Sequence, residues 1–258
     1  MAITAEEVKD LRLKTGISIM ECKNALVEAE GDQEKAIEIM RKKGTTKAAK
    51  KSERSTSEGI VSIIVKEGKG VITKLVCETD FVARNEDFVG LAQKLSELTL
   101  EKGPEVAKTE SKDLVEELFT KLGENMSLAE AEEIEGAVLN YYLHSNSKVG
   151  TIVALEGGDK ELAKDIAMHA TAMNPSYVSP DEVEASVLEK EKEIWTEQLK
   201  NEGKPEEIIG KILQGKEKKF CEENSLIKQT FVKDPDKTVE QLLEEKGAKV
   251  TGFVRLSV

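Results

Sequence analysis

Asp80 and Phe81 set a carboxylate beside a large aromatic ring where the chain changes from one secondary structure to another. Before them, Val71-Ile72-Thr73-Lys74-Leu75-Val76-Cys77 follows Gly70, is rich in β-branched residues and reads as a strand. After them, Phe88, Leu91, Ala92 and Leu95 fall on one face of a helix. A ring and a carboxylate at such a corner have two uses. In the first, Phe81 tucks beneath the helix as core and Asp80 caps it, since buried aromatics are common and Asp is a favoured cap. In the second, the pair projects outward to engage a partner, as residues on loops of rigid scaffolds often do.

No other chemistry is written in the chain. There is no Gly-x-x-x-x-Gly-Lys-Ser/Thr phosphate cradle, and Gly68-Lys69-Gly70 reads as a hairpin turn. There is no Gly-x-Ser-x-Gly nucleophile elbow. His144 and His169 lie in different elements, without metal-ligand spacing to each other or to a cysteine. His169 interrupts the apolar run Ile166-Ala167-Met168-Ala170 and reads as packed or exposed rather than as a ligand. The cysteines Cys22, Cys77 and Cys221 are odd in number and far apart, which fits a reducing cytoplasm. Carboxylates fall mostly on charged helical faces, where solvation is their default state. Nothing assembles a nucleophile, a base and an orienting group, so no bond-making enzyme, cofactor or metal site is expected.

Composition narrows the partners. The chain has 258 residues, room for one large domain or two to three small ones. With 39% hydrophobic and 34% charged residues it can form a core under a heavily solvated surface; aromatics are only 4%, so that core is mostly aliphatic. A net charge of -12 opposes general nucleic-acid binding and docking on anionic membranes. A protein or small-molecule partner is expected instead. Glu6, Glu7, Lys9 and Asp10 interrupt any signal peptide, and no apolar run approaches the ~20 residues of a membrane span.

The elements that position these residues divide the chain. Residues 1–44 read as a three-helix module. Thr4 with Glu7 and Ser18 with Glu21 form capping boxes, Gly16 and Gly31 are breaks, and Gly44 is the stop. Val8, Leu11, Cys22, Ala25, Leu26, Ala36, Ile37 and Met40 line its inner faces. This module is either a small bundle with no site of its own or a docking unit that exposes Ile19 and Met20. Residues 45–58 have linker composition, with Ala48-Ala49 able to carry a helix onward.

Residues 59–136 form a β-hairpin, a helix over about 86–102, and a second helix ending at Gly123. Met126 to Glu135 has helical propensity, yet a third strand there would complete an antiparallel sheet, and strand is the choice made. Hairpin-then-helix recurs over 137–178 and 229–258, giving two related α+β halves. At the matching corner the second half has Glu156-Gly157-Gly158-Asp159. Glycines suffice for a turn, so Phe81 is not demanded by backbone geometry, which favours its outward use. Residues 179–228 read as an inserted antiparallel helical hairpin. Ser179, Pro180 and Glu182 open it, Val183, Val187, Ile194 and Leu199 form one thin seam, and Ile209, Ile212, Leu213 and Phe220 form the other. Strand character resumes at Ala248 to Leu256, and the sequence ends at Val258.

Two stretches carry a family resemblance. Thr15-Gly16-Ile17-Ser18-Ile19-Met20-Glu21-Cys22-Lys23-Asn24-Ala25-Leu26 and Thr79-Asp80-Phe81-Val82-Ala83-Arg84-Asn85 resemble the two signatures of the elongation factor Ts family. The order of units is similar over nearly the whole chain, although Leu143-His144-Ser145-Asn146-Ser147-Lys148-Val149-Gly150 departs from the glycine-rich turn usual there. The resemblance implies an N-terminal module of the ubiquitin-associated-like type. It also implies a cytoplasmic guanine-nucleotide exchange factor for the GTPase elongation factor Tu, acting on its GDP form.

GDP is held in such GTPases largely through phosphate contacts and Mg²⁺. An exchange factor must therefore bind the nucleotide-free state better than the loaded one. By the resemblance, Phe81 wedges into the Mg²⁺ and phosphate region, with Asp80 and the backbone of Val82 and Ala83 holding it in register and Thr79, Arg84 and Asn85 bracing the corner. Ile19, Met20, Cys22 and Lys23 grip the nucleotide domain, and His144 meets another domain. A rival reading is a non-catalytic interaction scaffold, with the module recognising a partner and the hairpin mediating self-association.

Overall fold

The computed structural model describes residues 3–51 and 54–258, with the backbone alone over 45–51. Local chemistry explains the N-terminal helices. Thr4 caps α1 (Ala5–Thr15): its hydroxyl accepts from the Glu7 N–H at 3.3 Å, and the Glu7 carboxylate accepts from the Thr4 N–H at 2.8 Å. Those bonds satisfy donors that a helix start leaves open. Gly16 closes α1 at φ 69°, a left-handed conformation natural to glycine. Ser18 caps α2 (Ile19–Glu28), and the Asp32 carboxylate accepts from the Glu34 and Lys35 N–H groups at the start of α3 (Gln33–Lys51). Val8, Leu11, Cys22, Leu26, Ala36 and Met40 pack together inside the module.

One expected boundary is wrong. The helix does not stop at Gly44 but runs on to Lys51. Gly44 is buried against the later helix α6 (Pro104–Leu122), where a Cβ would lie 2.4 Å from Thr120 Oγ1. The glycine serves close helix approach, not termination. Of the expected linker 45–58, residues 45–51 are therefore helical, 52–53 lie outside the described residues, and Glu58 already opens a strand.

The first half begins with β1 (Glu58–Lys66) and β2 (Lys69–Cys77), joined by Glu67 at φ 50° and Gly68 at φ 81°. Two left-handed residues in a two-residue turn match the twist of the flanking strands. α4 (Asp80–Ala83), α5 (Glu86–Lys102) and α6 follow, then β3 (Met126–Glu135) antiparallel to β2. Residues 126–135 are thus strand: pairing with the open edge of β2 overrides their helical propensity. The second half has β4 (Val138–Leu143), β5 (Val149–Glu156), α7 (Lys160–Met173), the hairpin helices α8 (Ala185–Asn201) and α9 (Glu206–Asn224), α10 (Val239–Glu245) and β6 (Lys249–Ser257). Strand orders are β1-β2-β3 and β4-β5-β6, both antiparallel, so the expected pair of related α+β halves is the fold observed.

The sheets face each other through Val61, Ile72, Leu139, Ile152, Ala154 and Leu256. Leu75, Phe88, Leu95 and Phe119 fill the space between the first sheet and α5 and α6, and Val153, Ile166 and Leu243 do so between the second sheet and α7 and α10. Each such side chain, fully buried, contributes roughly 1.5–3 kcal/mol. The middle strands are covered on both faces, which explains their near-continuous apolar sequence. The buried threonine in each is satisfied in the same way. Thr73 in β2 hydrogen-bonds Ser96 of α5 at 2.7 Å, and Thr151 in β5 accepts from Thr171 of α7 at 2.8 Å.

Ser179-Pro180-Asp181-Glu182 does not start the hairpin helix as expected. It makes one 3-10 turn at Pro180–Glu182, in which the Glu182 carboxylate accepts from the Val178 N–H at 2.8 Å. Burial of Val183 then draws the chain extended, and α8 starts only at Ala185, so Val183 lies outside its seam. The helices of the hairpin meet through Trp195 and Phe220, edge to face at 5.7 Å, with Lys192 and Glu217 paired at 2.9 Å. The helix α10 was not anticipated; a Thr238–Gln241 capping box starts it.

Candidate functional site

The corner after β2 is built by Thr79. Its hydroxyl donates to Glu124 Oε1 at 2.7 Å and accepts from the Val82 N–H at 3.4 Å, making it the cap of α4. Its backbone N–H donates to Glu124 Oε2 at 3.0 Å. Beside it, Glu78 Oε1 accepts from the Asn125 N–H at 2.7 Å. Two consecutive residues at the end of β2 are thereby bonded to two consecutive residues between α6 and β3.

On this base α4 is a single turn of four residues, absent from the second half, where Asp159 caps α7 directly after Gly157-Gly158. Cys77 lies beneath it, its thiol donating to the Thr79 carbonyl at 3.2 Å. Burial first, then the negative charge of Glu124, pushes that thiol up to about 12, so it stays protonated and unreactive.

The turn sorts its side chains sharply. Val82 and Ala83 are buried in the core of the first half, whereas Phe81 is 84% exposed. Asp80 and Arg84 form a surface ion pair at 3.1 Å along α4. Asn85 is the cap of α5, its side chain accepting from the Asp87 N–H at 2.9 Å. Asp80 is thus the first helical residue rather than the cap. Val82 and Ala83, whose backbone is expected to hold the ring in register against the partner, bury their side chains and so anchor the turn.

The other expected contacts stand on separate elements. Ile19, Met20 and Lys23 are exposed on α2, with Val27 exposed one turn beyond Lys23. Cys22 is not exposed: it is fully buried, with Thr15 Oγ1 and the Ile17 carbonyl each 3.7 Å from its sulfur. Helical periodicity explains the correction, because Cys22 shares the inner face with Ala25 and Leu26. His144 is exposed at the end of β4, its Nδ1 3.3 Å from the Tyr142 hydroxyl. Sequence reasoning missed Glu78, Glu124 and Asn125, which fix the corner. Their signal was weak, since an isolated acidic residue far along the chain is indistinguishable from solvated surface.

Relatives supply an independent identification. A family model described as elongation factor TS matches residues 78–258. Proteins named elongation factor Ts from Marinobacter nauticus and Alkalilimnicola ehrlichii are each 47% identical, covering 100% of this chain and 91% and 92% of their own lengths. One from Francisella tularensis subsp. novicida is 47% identical over 99% of this chain and 92% of its own. The chain belongs to the elongation factor Ts family of translation elongation factors. The role of that family is guanine-nucleotide exchange on elongation factor Tu.

Proposed function

We propose that this chain drives GDP from elongation factor Tu by inserting Phe81 beside the Mg²⁺ and phosphate region of the GTPase, with Asp80 next to it. The observation that carries this reading is the exposure of Phe81 on a turn whose neighbours Val82 and Ala83 are buried. A phenylalanine left in water forgoes roughly 1.5–3 kcal/mol of burial, a cost a partner can offset. Thr79, Arg84 and Asn85 hold the turn, while Ile19, Met20 and Lys23 on the module and His144 on the second half grip other parts of the GTPase. By linkage, nucleotide weakens the complex as much as the complex weakens nucleotide.

On this reading the protein is an exchange factor without bond-making chemistry. It acts in the cytoplasm on a protein, not on nucleic acid or membrane. A net charge of -12 supports that partner choice, and no described helix is long and apolar enough to cross a membrane. The test is release of fluorescent GDP from elongation factor Tu with excess unlabelled nucleotide. Phe81→Ala is expected to slow stimulated release roughly 10–30-fold with an unchanged melting temperature. Near-normal stimulation by the folded variant overturns the proposal.

A further inference from the structure

We infer that Arg54 is a positioning residue for the Phe81 turn, coupling the N-terminal module to that turn through Glu78 and Asn125. The inference rests on the wedge reading and adds to it a residue outside both resembling stretches.

Three bonds close a ring. Arg54 Nη1 donates to Glu78 Oε2 at 3.3 Å, the Asn125 N–H donates to Glu78 Oε1 at 2.7 Å, and Asn125 Nδ2 donates back to the Arg54 carbonyl at 2.8 Å. Thr79 follows Glu78 and Glu124 precedes Asn125, and these two neighbours form the Thr79–Glu124 clamp. Phe81 lies two residues beyond Thr79. A shift of the chain at Arg54 is therefore opposed directly at the base of α4. Hydrogen bonds to a charged carboxylate are stronger than neutral ones, and Glu78 is sheltered, its side chain 19% exposed.

The other end of this connection is the module. Its last helix, α3, crosses α6 with Gly44 against Thr120, and α6 ends at Leu122, just before Glu124-Asn125. Both α3 and α6 thus lead to the same ring. Open cavities of about 410 and 500 Å³ adjoin their contact, both lined by Ile17, Met40, Thr120 and Lys121. A motion of the module against α6 would be carried toward that ring along both helices, since close-packed contacts transmit strain. Arg54 is where that motion reaches the turn. A module seated on the GTPase then biases the direction of Phe81 instead of acting only as a tether.

The experiment measures stimulated GDP release as a function of factor concentration for wild type, Arg54→Ala, Arg54→Lys, Phe81→Ala and the Arg54→Ala/Phe81→Ala double variant, each checked by thermal melting. Arg54→Ala is expected to lower the saturating release rate about two- to tenfold, with a smaller change in the half-saturating concentration. Arg54→Lys should recover part of the loss. The double variant should match Phe81→Ala alone, because a residue that acts by aiming Phe81 has nothing to aim once that side chain is removed. A wild-type rate for Arg54→Ala, or losses that multiply in the double variant, overturns the coupling while leaving the wedge intact. If Phe81→Ala itself exchanges normally, the wedge falls, and the coupling falls with it.

Discussion

Glu124 holds Thr79 by both of its carboxylate oxygens, one on the backbone N–H at 3.0 Å and one on the hydroxyl at 2.7 Å. A threonine so fixed can cap only a helix that starts in one direction, and this sets where Phe81 points. Glu124→Ala leaves a partly sheltered N–H and hydroxyl without their acceptor, at a cost of about 1–2 kcal/mol. Its stimulation of GDP release should fall by more than its affinity for nucleotide-free elongation factor Tu. Denaturant melts and release kinetics together check this; equal losses in affinity and rate would mean that Glu124 serves the fold alone.

Gly44 makes a prediction that pairs two residues. In Gly44→Ala the new methyl meets Thr120 Oγ1 at 2.4 Å, and rotation of Thr120 is resisted because its Cβ and Cγ2 also lie 3.4 and 3.5 Å away. Overpacking costs about 1–3 kcal/mol, while better helix propensity returns about 1 kcal/mol. The single variant should be destabilised by up to about 2 kcal/mol, and adding Thr120→Ala should recover most of that. A double-mutant cycle by chemical denaturation reads the coupling; additive effects would mean that α3 does not press on α6 at this point.

The contrast between Gly44 and Gly16 shows what was legible in the sequence. Gly16 ends its helix because the next residues carry a fresh cap, Ser18, and a fresh apolar face. Gly44 is followed by no such signal, yet reads identically as a letter. Its reason lies in Thr120, distant in sequence and invisible to local periodicity. The two β-hairpins and the outward Phe81 were readable, because pattern and the missing glycines at the first corner stated them locally. The strand at 126–135 followed only from the sheet's need for a third strand, against its own helical propensity. Cys22 was assigned to a surface by its place in a recognised motif, although its own spacing to Ala25 and Leu26 put it inside. The capping spacing of Thr238 and Gln241 was present but sat in a segment read only for strands. The clamp at Glu124 and Asn125 had no local signature at all.

Cys77 predicts a loss of stability in alkali. Its thiol titrates near 9.0 ordinarily but is pushed up to about 12 in the fold. Above 9 the unfolded chain gives up this proton and the folded one does not. The stabilisation is therefore complete below about pH 9 and is lost as pH rises toward 12. The stability difference between wild type and Cys77→Ala should shrink across that window, measured by urea melts at pH 8, 9.5 and 10.5. A difference that stays constant would mean the thiol ionises as freely folded as unfolded.

His169 predicts the opposite edge of the pH profile. It is buried in α7, and its Nδ1 accepts from the Val232 N–H at 3.2 Å, so Nε2 carries the proton and faces Gln229 Oε1 at 3.0 Å. The Gln229 side chain in turn donates to the Glu223 carbonyl at the end of α9. This neutral imidazole ties the second half to the root of the helical hairpin. Burial holds its pKa below the ordinary 6.5, against a smaller opposing effect of the Gln229 bond. A proton added to Nδ1 would also confront the Val232 N–H with a second donor. Below pH 6.5 the unfolded chain binds a proton that the fold refuses, so this stabilisation is complete above 6.5 and is lost as pH falls through the folded value. His169→Gln can keep an acceptor for Val232 but has no charge to gain. Its melting temperature should fall less than that of wild type between pH 7 and 5, and hydrogen exchange should show the Val232 amide opening earliest in the wild-type protein. Parallel melting curves for the two proteins would show that His169 stays neutral without shaping acid stability.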